Sequence, residues 1–306
     1  MKYKAPRGTQ DILPDRVNEW QDFERASSTV LSRYGYREIR TPVFEQKELF
    51  QRTVGRETDI VQKEMYCFRD RKDREFALRP EGTAPVIRSY IQNALWTERR
   101  FQKLYYIGPM FRYDRPQKGR YRQFHQVGAE AIGSLSPLVD AEVIALMGEI
   151  LQHAAGIKRL ILKLNSLGDR ESRMAYASAL REYFAGSKDM LCPDCTRRLE
   201  LNPLRVLDCK VPACRELAAD IPPMEECLNL ESREHYLEVQ HWLEVLGVPF
   251  EKDKSLVRGL DYYTRTTFEY HHGELGASVA LGGGGRYDLL IAECGGPDTP
   301  AIGFSL

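Results

Sequence analysis

Apolar residues at helical spacing mark the N-terminal region of the chain. They recur every three or four positions, which is typical of an amphipathic helix with one apolar face. Its members are Val17, Trp20, Phe23, Ser27, Val30, Leu31 and Tyr34. Asp15 is the predicted N-cap and Gly35 the predicted stop, and a strand is predicted over 36–40.

Shorter apolar runs with strand-like composition follow, separated by polar turns. The predicted strands are 65–69, 75–78, 103–106, 110–113, 122–133, 160–164, 256–258, 266–270 and 277–281. The predicted helices are 83–94, with Thr83 as its cap, 138–155 and 286–293, the last entered from a glycine-rich turn over 282–285.

One stretch differs from the rest in character. Residues 169–246 read as mostly helical and contain five of the seven cysteines. The strand signals on either side predict an α+β fold, an antiparallel β-sheet flanked by helices and interrupted by a mostly helical insertion. The predicted divisions are 1–168, 169–246 and 247–306.

Composition and charge narrow the classes of function. Lys+Arg and Asp+Glu both number 44, so any RNA partner must meet a local basic patch rather than a basic surface overall. No apolar run approaches the roughly 18 residues that span a membrane, and the polar start lacks a secretory signal. We therefore expect a cytoplasmic protein without a membrane partner, whose cysteines are thiols or metal ligands.

The segment 111–126 carries the first candidate chemistry. Two predicted strands enclose a loop with Lys118, Arg120 and Arg122, and guanidinium groups suit phosphate oxygens. On the second strand, Phe124, Gln126, Gly128 and Glu130 share one face by the two-residue period. This face is either a ligand surface or part of a solvated hairpin with a charged tip. His125 points to the opposite face and is interpreted as structural.

Three further features each have a functional and a plain interpretation. Arg258 and Asp261 stand among apolar and aromatic neighbours, so Arg258 meets either a bound anion or Asp261 itself. The glycines 282–285 permit close backbone approach to a ligand, but such runs are usually turns. Four cysteines have spacing compatible with zinc, or are free thiols in the insertion. They are Cys192, Cys195, Cys209 and Cys214.

Taken together, these stretches resemble histidyl-tRNA synthetases, a family of class II aminoacyl-tRNA synthetases. Residues 35–42 resemble the first class II motif, and residues 111–133 resemble the second. Residues 79–83 and 256–263 resemble the two stretches that mark histidine specificity. The third motif is matched by 283–288 and 300–304, so the resemblance covers nearly the whole chain.

The resemblance implies ATP-dependent activation of L-histidine to histidyl-adenylate, followed by transfer to the 3′ end of the tRNA for histidine. It implies ATP as substrate with Mg²⁺, and a homodimer through the first motif. The implied catalytic residues are Arg112, Gln126 and Arg258. The implied histidine-binding residues are Glu81, Gly82, Thr83, Arg112, Gln126, Glu130, Arg258, Tyr262 and Tyr263. Arg112, Arg120 and Phe124 are implied to bind ATP, and Arg115, Gln117 and Lys118 to contact the tRNA acceptor end.

The family pattern extends beyond the residues in hand. Its third motif continues into a Gly-x-Glu-Arg helix that binds ATP, and an anticodon-binding domain follows. We therefore expect the 306 residues to be part of a longer enzyme.

Two alternatives remain open at this point. One is a non-catalytic, histidine-sensing regulatory subunit of histidine biosynthesis, which has no use for the basic loop 115–122. The other is an enzyme that adenylates a different small molecule without tRNA.

Overall fold

A computed structural model describes residues 3–55, 58–115, 119–257, 260, 262–273 and 280–306. The helices are α1 (Pro14–Arg33), α2 (Lys47–Thr53), α3 (Thr83–Gln92), α4 (Pro137–Glu149), α5 (Arg170–Phe184), α6 (Pro193–Leu201), α7 (Pro212–Leu217), α8 (Leu230–Val245) and α9 (Leu290–Glu293). The strands are β1 (Arg37–Glu38), β2 (Phe44–Gln46), β3 (Cys67–Arg69), β4 (Glu75–Leu78), β5 (Gln102–Phe111), β6 (Gln123–Ile132), β7 (Leu160–Ser166), β8 (Glu251–Lys252), β9 (Thr264–His272), β10 (Ala280–Arg286) and β11 (Ala301–Ser305).

The described strands form one large and one small sheet. The large sheet has eight strands in the order β1-β5-β6-β11-β10-β9-β7-β8. Its six central strands are antiparallel to their neighbours, while β1 and β8 pair in parallel at the two ends. The small sheet has the order β2-β4-β3 and contains the predicted hairpin of β3 and β4. The predicted α+β fold class is confirmed, with the sheet mixed at its edges.

The centre of the large sheet is the antiparallel pair β5 and β6. It runs in unbroken register from Gln102 opposite Ile132 to Phe111 opposite Gln123. Two separate strands, 103–106 and 110–113, were expected where β5 is continuous through Gly108 and Pro109. Pro109 lacks an N–H, but it does not end the strand because its neighbours keep their pairing to β6.

The predicted helix caps were wrong in two places. The helix α1 begins one residue before Asp15, with Leu13 at the N-cap and Pro14 in the first turn, where its fixed φ fits. The helix α3 has Gly82 as N-cap, and Thr83 is its first residue. Gly35 does follow α1 with φ +81°, as the predicted stop requires.

The largest correction concerns the glycine run 282–285. It was predicted as a turn before a helix, yet it lies within β10 between β9 and β11. A Cβ on Gly284 would lie 2.0 Å from the carbonyl oxygen of Gly303. Glycine is needed here because the chain packs too closely for a side chain, not because it turns.

The segments flanking this run also differ from expectation. Leu256 and Val257 lie in a loop instead of a strand, and the expected strand 277–281 falls mostly outside the described residues. The helix expected over 286–293 is reduced to the four residues of α9, because Arg286 is still the last residue of β10.

The main core lies between the large sheet and helices α1, α3, α4 and α8. Helix α8 packs directly on α4, so the end of the helical stretch 169–246 lies against the sheet's own helices. Among the described helices, none has the length and apolar character needed to cross a bilayer.

Candidate active site

A cleft of about 650 Å³ opens over one face of the large sheet. Strands β6, β10 and β11 form its floor, and the loop before α3 and the segment after β5 form its sides. Ten of the residues implied by the resemblance lie at or next to this cleft in the described part of the chain. Eight line the cleft, and Gly82 and Glu130 lie directly behind lining residues. The ten residues are Glu81, Gly82, Thr83, Arg112, Arg120, Phe124, Gln126, Glu130, Tyr262 and Tyr263.

Glu130 lies fully buried beneath the cleft, on β6. Thr83 Oγ1 donates a hydrogen bond of 2.7 Å to one carboxylate oxygen, and the Tyr287 hydroxyl donates to the other. Burial raises the pKa of Glu130 to about 8, although these two hydrogen bonds act in the opposite direction. The Glu130 carboxyl therefore holds its proton to a higher pH than an exposed glutamate does.

The loop before α3 is held by Glu81. Its carboxylate accepts hydrogen bonds from the backbone N–H of Thr83, at 2.7 Å, and of Ala84, at 2.9 Å. Two N–H groups at the start of α3 thus find an acceptor, which was the role predicted for Thr83. Thr83 is instead free to direct its hydroxyl to Glu130. Burial also raises the pKa of the Glu81 carboxyl.

Gly82 and Gly128 flank the ring of Tyr106. A Cβ on either glycine would lie 2.2 Å from atoms of that ring. Tyr106 therefore fills the space beneath Glu81 and Thr83, and the two glycines allow the loop and β6 to approach each other. A backbone constraint accounts for Gly82 without any contact to a ligand.

Gln126 contributes an amide to the floor of the cleft. Its Nε2 donates to Ser305 Oγ on β11 at 3.3 Å. Its buried Oε1 has no hydrogen-bond partner among the described residues. Because a buried acceptor without a partner is costly, this oxygen is suited to an N–H donor of a bound molecule.

Arginines and an aromatic ring lie along one side of the cleft. Arg112 donates through Nε to the carbonyl of Pro80 at 2.8 Å, and its guanidinium carbon lies 5.3 Å from the ring centre of Phe124. Arg120 forms an ion pair of 3.1 Å with Asp114. Two cations and a flat apolar ring in one cleft suit a phosphate-bearing ligand with a planar base.

Tyr262 and Tyr263 are buried at the end of the cleft beside Tyr287. The ring centres of Tyr262 and Tyr263 are 4.6 Å apart, and those of Tyr262 and Tyr287 are 5.6 Å apart. Tyr287 thereby links the tyrosine pair to Glu130. Its role was missed, although it stands inside the third matched motif, because nothing in strand periodicity points its hydroxyl at a carboxylate on β6.

The remaining candidate residues lie elsewhere or cannot be placed. Arg115 is exposed at the start of the loop after β5. Arg258, Asp261, Gln117 and Lys118 lie outside the described residues, so their roles stay predictions. The ring centres of His125 and Trp20 are 4.9 Å apart, and this packing is compatible with the structural role predicted for His125.

A second buried carboxylate, Asp140 on α4, lies in a different setting. Arg286 donates to it at 2.9 Å through Nε and forms an ion pair of 2.6 Å through Nη2. Thr266 Oγ1 donates at 2.6 Å, and His235 Nε2 lies 3.5 Å away. Asp140 and Arg286 are both fully buried, and this network joins β10 to α4 and α8.

Comparisons with known proteins agree with the resemblance in the motifs. The family model described as histidyl-tRNA synthetase matches residues 8–168 and 202–306. A histidine–tRNA ligase of a Geobacillus species is 54% identical over the whole chain, which spans 73% of that protein. The corresponding protein of Natranaerobius thermophilus is 51% identical with the same coverage.

Solved structures give the same result. Apo histidyl-tRNA synthetase of S. aureus is 43% identical, with a TM-score of 0.79 over 99% of this chain and 71% of that one. A Bacillus halodurans protein titled ATP phosphoribosyltransferase regulatory subunit/histidyl-tRNA synthetase is 25% identical, with a TM-score of 0.74 over the whole chain and 81% of that one. The chain belongs to the histidyl-tRNA synthetase family.

Proposed function

We propose that this protein activates L-histidine with ATP and transfers the histidyl group to the 3′ end of the tRNA for histidine. The observation that carries the proposal is the buried Glu130, held by hydroxyl groups of Thr83 and Tyr287 beside a cleft that also contains Arg112 and Arg120. One end of the cleft suits a ligand with N–H groups, and the other suits phosphates.

The acidic and aromatic end of the cleft accounts for the choice of amino acid. Glu130 accepts a hydrogen bond from one ring N–H of histidine, and Tyr263 faces the other ring nitrogen, aided by Tyr262. Glu81, Thr83 and Gln126 hold the α-amino group, for which the unpartnered Oε1 of Gln126 is suited. Side chains that leave these buried polar groups unpaired are strongly rejected.

The chemistry of the first step requires alignment and positive charge. The carboxylate of histidine attacks the α-phosphorus of ATP, the bond to the bridging oxygen breaks, and pyrophosphate leaves. Arg112 contacts the α-phosphate and the carboxylate, and Arg258 approaches the same centre from another side. Both guanidinium groups stabilise the charge that develops on the phosphate oxygens.

A Mg²⁺ ion bound with ATP would supply positive charge that neutralises the pyrophosphate group. Carboxylates line the cleft at Asp114 and Glu269, and oxygen atoms of this kind are the ligands that Mg²⁺ prefers. Phe124 stacks on the adenine, and Arg120 lies near the nucleotide phosphates. The terminal ribose hydroxyl of tRNA then attacks the acyl carbon, and AMP leaves.

In this proposal, the acceptor end of the tRNA binds the loop that contains Arg115, Gln117 and Lys118. A basic patch on a protein with no net charge is consistent with this local contact. The proposed homodimer forms through residues 35–42. Strand β1 within that stretch lies at the end of the large sheet, with both of its residues exposed, as an intersubunit edge requires.

Two further assignments complete the proposal. Residues 169–246 form an insertion between two parts of the catalytic unit, and the family model skips 169–201. The protein acts in the cytoplasm, where its substrates occur.

The regulatory-subunit alternative is not favoured. Relatives named histidine–tRNA ligase are 51–54% identical to this chain, whereas the solved structure whose title mentions a regulatory subunit is 25% identical.

The proposal is tested by histidine-dependent exchange of pyrophosphate into ATP. We expect exchange with histidine and not with other amino acids, and we expect Arg258→Ala to lower it by roughly two orders of magnitude or more. Arg25→Ala, on the exposed face of α1, is the matched control and should exchange like the wild type. Near-normal exchange by a folded Arg258→Ala variant would contradict the assigned role, and equal exchange with several amino acids would contradict the specificity.

A further inference from the structure

Four cysteines within residues 192–214 converge in the helical insertion. Cys192 precedes α6 and Cys195 lies in its first turn, Cys209 lies between α6 and α7, and Cys214 lies in α7. Their sulfur atoms all lie within 4.8 Å of one another, and three of the four residues are buried. The other three cysteines, including Cys67 and Cys227, are not part of this group.

The spacing of the sulfur atoms fits one metal ion. Four thiolates at about 2.3 Å from a tetrahedral Zn²⁺ lie about 3.8 Å from one another. The Cys192 and Cys209 sulfurs are 3.9 Å apart, which is too far for a disulfide bond and close to this value. A single ion therefore fits the group with small adjustments, and a cluster of several iron atoms would need wider spacing.

The surroundings of the sulfur atoms favour thiolates bound to a cation. The backbone N–H of Cys192 donates to the Cys214 sulfur at 3.3 Å, and that of Val211 donates to the Cys209 sulfur at 3.4 Å. Cys192 is also the N-cap of α6, where the helix dipole favours negative charge. Such outer contacts are typical of metal-bound cysteines.

The two helices that carry Cys195 and Cys214, the first of which directly follows Cys192, are short. Helix α6 has nine residues and α7 has six, and helices this short are marginal without external support. Apart from the cysteines, the buried residue on these two helices is Leu199, which belongs to the main core together with Val206 of the segment between them. An ion that joins residues on both helices would add a cross-link to this packing.

The same region reaches the catalytic cleft at two points. Asp208, next to Cys209, lines both the cleft and a neighbouring cavity of about 970 Å³. Arg198 on α6 lies 3.9 Å from Asp59, and Ile60 after it lines the cleft. The position of the cysteine group therefore determines part of the cleft wall.

We propose that Cys192, Cys195, Cys209 and Cys214 bind one structural Zn²⁺ that holds α6, α7 and the segment around Asp208 against the cleft. The ion takes no part in the reaction. It fixes one wall of the cleft at a distance from the reacting groups.

Metal content of the purified protein tests the proposal, measured by native mass spectrometry after growth with added zinc. We expect about one zinc ion per chain, and loss of most of it in Cys195→Ser and Cys214→Ser. Cys67→Ser and Cys227→Ser are matched controls and should keep the ion. Iron in place of zinc, zinc retained by both ligand variants, or no zinc in the wild type would overturn the proposal.

Thiol labelling of the wild-type protein keeps the test independent of variant folding. In the native protein the four cysteines should label slowly, and treatment with a chelator should raise their labelling rate at least tenfold while Cys67 is unchanged. Equal rates with and without the chelator would contradict the proposal. Because neither measurement uses catalysis, failure here is distinguishable from failure of the proposed reaction.

Discussion

Two carboxylates, Glu130 and Asp140, are fully buried against the same sheet, yet their partners differ in kind. Asp140 has a cation inside the protein, because Arg286 meets both of its oxygens. The described hydrogen bonds of Glu130 come from the hydroxyls of Thr83 and Tyr287. Asp140 is neutralised by a cation inside the protein, whereas the partners of Glu130 among the described residues are uncharged hydroxyl groups beside a cleft.

The difference teaches how a structural carboxylate is distinguished from a binding one. Burial raises the pKa of both groups, so the direction of the shift does not separate them. The two carboxylates differ in the group that stabilises their negative charge. For Asp140 this group is Arg286 of the protein itself. For Glu130 we infer that it is an N–H group of the substrate.

The largest effect is expected on the stability of the protein when Asp140, the structural carboxylate, is changed. Asp140→Asn removes one of the two carboxylates that pair with the buried Arg286 and leaves only Asp288, which should lower the free energy of unfolding by about 3 kcal/mol. Urea denaturation measures this change. Glu200→Gln, which removes the exposed pair with Lys188, is the control and should leave the free energy of unfolding nearly unchanged. Similar losses for both variants would break the comparison.

Glu130→Gln should separate binding from stability. We expect histidine affinity to fall about 100-fold, or about 2.7 kcal/mol, as for loss of a charged hydrogen-bond partner. The folded-state pKa of about 8 lies above the ordinary 4.5, so ionisation disfavours the fold as the pH rises between these values. At pH 8 the variant should therefore be at least as stable as the wild type.

Calorimetric titration with histidine and denaturation at pH 8 provide the two readouts for Glu130→Gln. Glu142→Gln on α4, whose partner is Lys103, is the control and should bind histidine normally. Unchanged affinity in Glu130→Gln would show that this carboxylate is structural after all.

A third variant, Gly303→Ala on β11, places a methyl group against Glu130 on the neighbouring strand β6. A Cβ on Gly303 would lie 1.8 Å from a carboxylate oxygen of Glu130 and 2.7 Å from the carbonyl of Ala129. Gly303→Ala should cost about 2 kcal/mol of stability and weaken histidine binding as well. Gly186→Ala meets no atom within 4 Å and is the matched control in thermal unfolding. Equal effects would remove the argument for crowding.

The smallest expected effect is a pH dependence near Asp140. Burial lowers the pKa of His235 to about 3, with Arg286 and Arg265 acting in the same direction and Asp288 and Glu231 against it. The unfolded chain binds the proton first, so stability present above pH 6.5 is lost as the pH falls. The loss at pH 5.5 should be about 1.4 kcal/mol.

Denaturation of the wild type and of His235→Gln between pH 7 and 5.5 checks this contribution. The difference in stability between the two should shrink as the pH falls. A constant difference would show that His235 does not accept a proton preferentially in the unfolded chain.

Much of the fold could be predicted because local periodicity and pairing agree. The apolar stripe of α1, the β3–β4 hairpin and the alternation along β6 were all visible in the sequence. The strand conformation of the glycine run 282–285 could not be predicted, because these glycines reflect the close approach of β11, a strand that follows later in the chain. Crowding between strands has no local signal.

The candidate cleft was predicted through motif resemblance more than through chemistry. Gln126 and Glu130 were placed on one face by strand period, but Tyr287 and Asp140 each reach partners roughly 150 residues away. No spacing rule connects such positions. The four cysteines were grouped by their spacing, but the looser second pair left free thiols as an open interpretation until the structure placed all four sulfur atoms within 4.8 Å of one another.

Gly282 on β10 and Gly303 on β11 expose peptide backbone in part of the cleft floor. Gly282 and Gly303 leave no room for a side chain, so substitutions at these two positions would displace neighbouring atoms and not simply reshape the cleft. A library aimed at new amino-acid substrates should leave these positions fixed and vary β6 and the loop before α3, where side chains do enter the cavity.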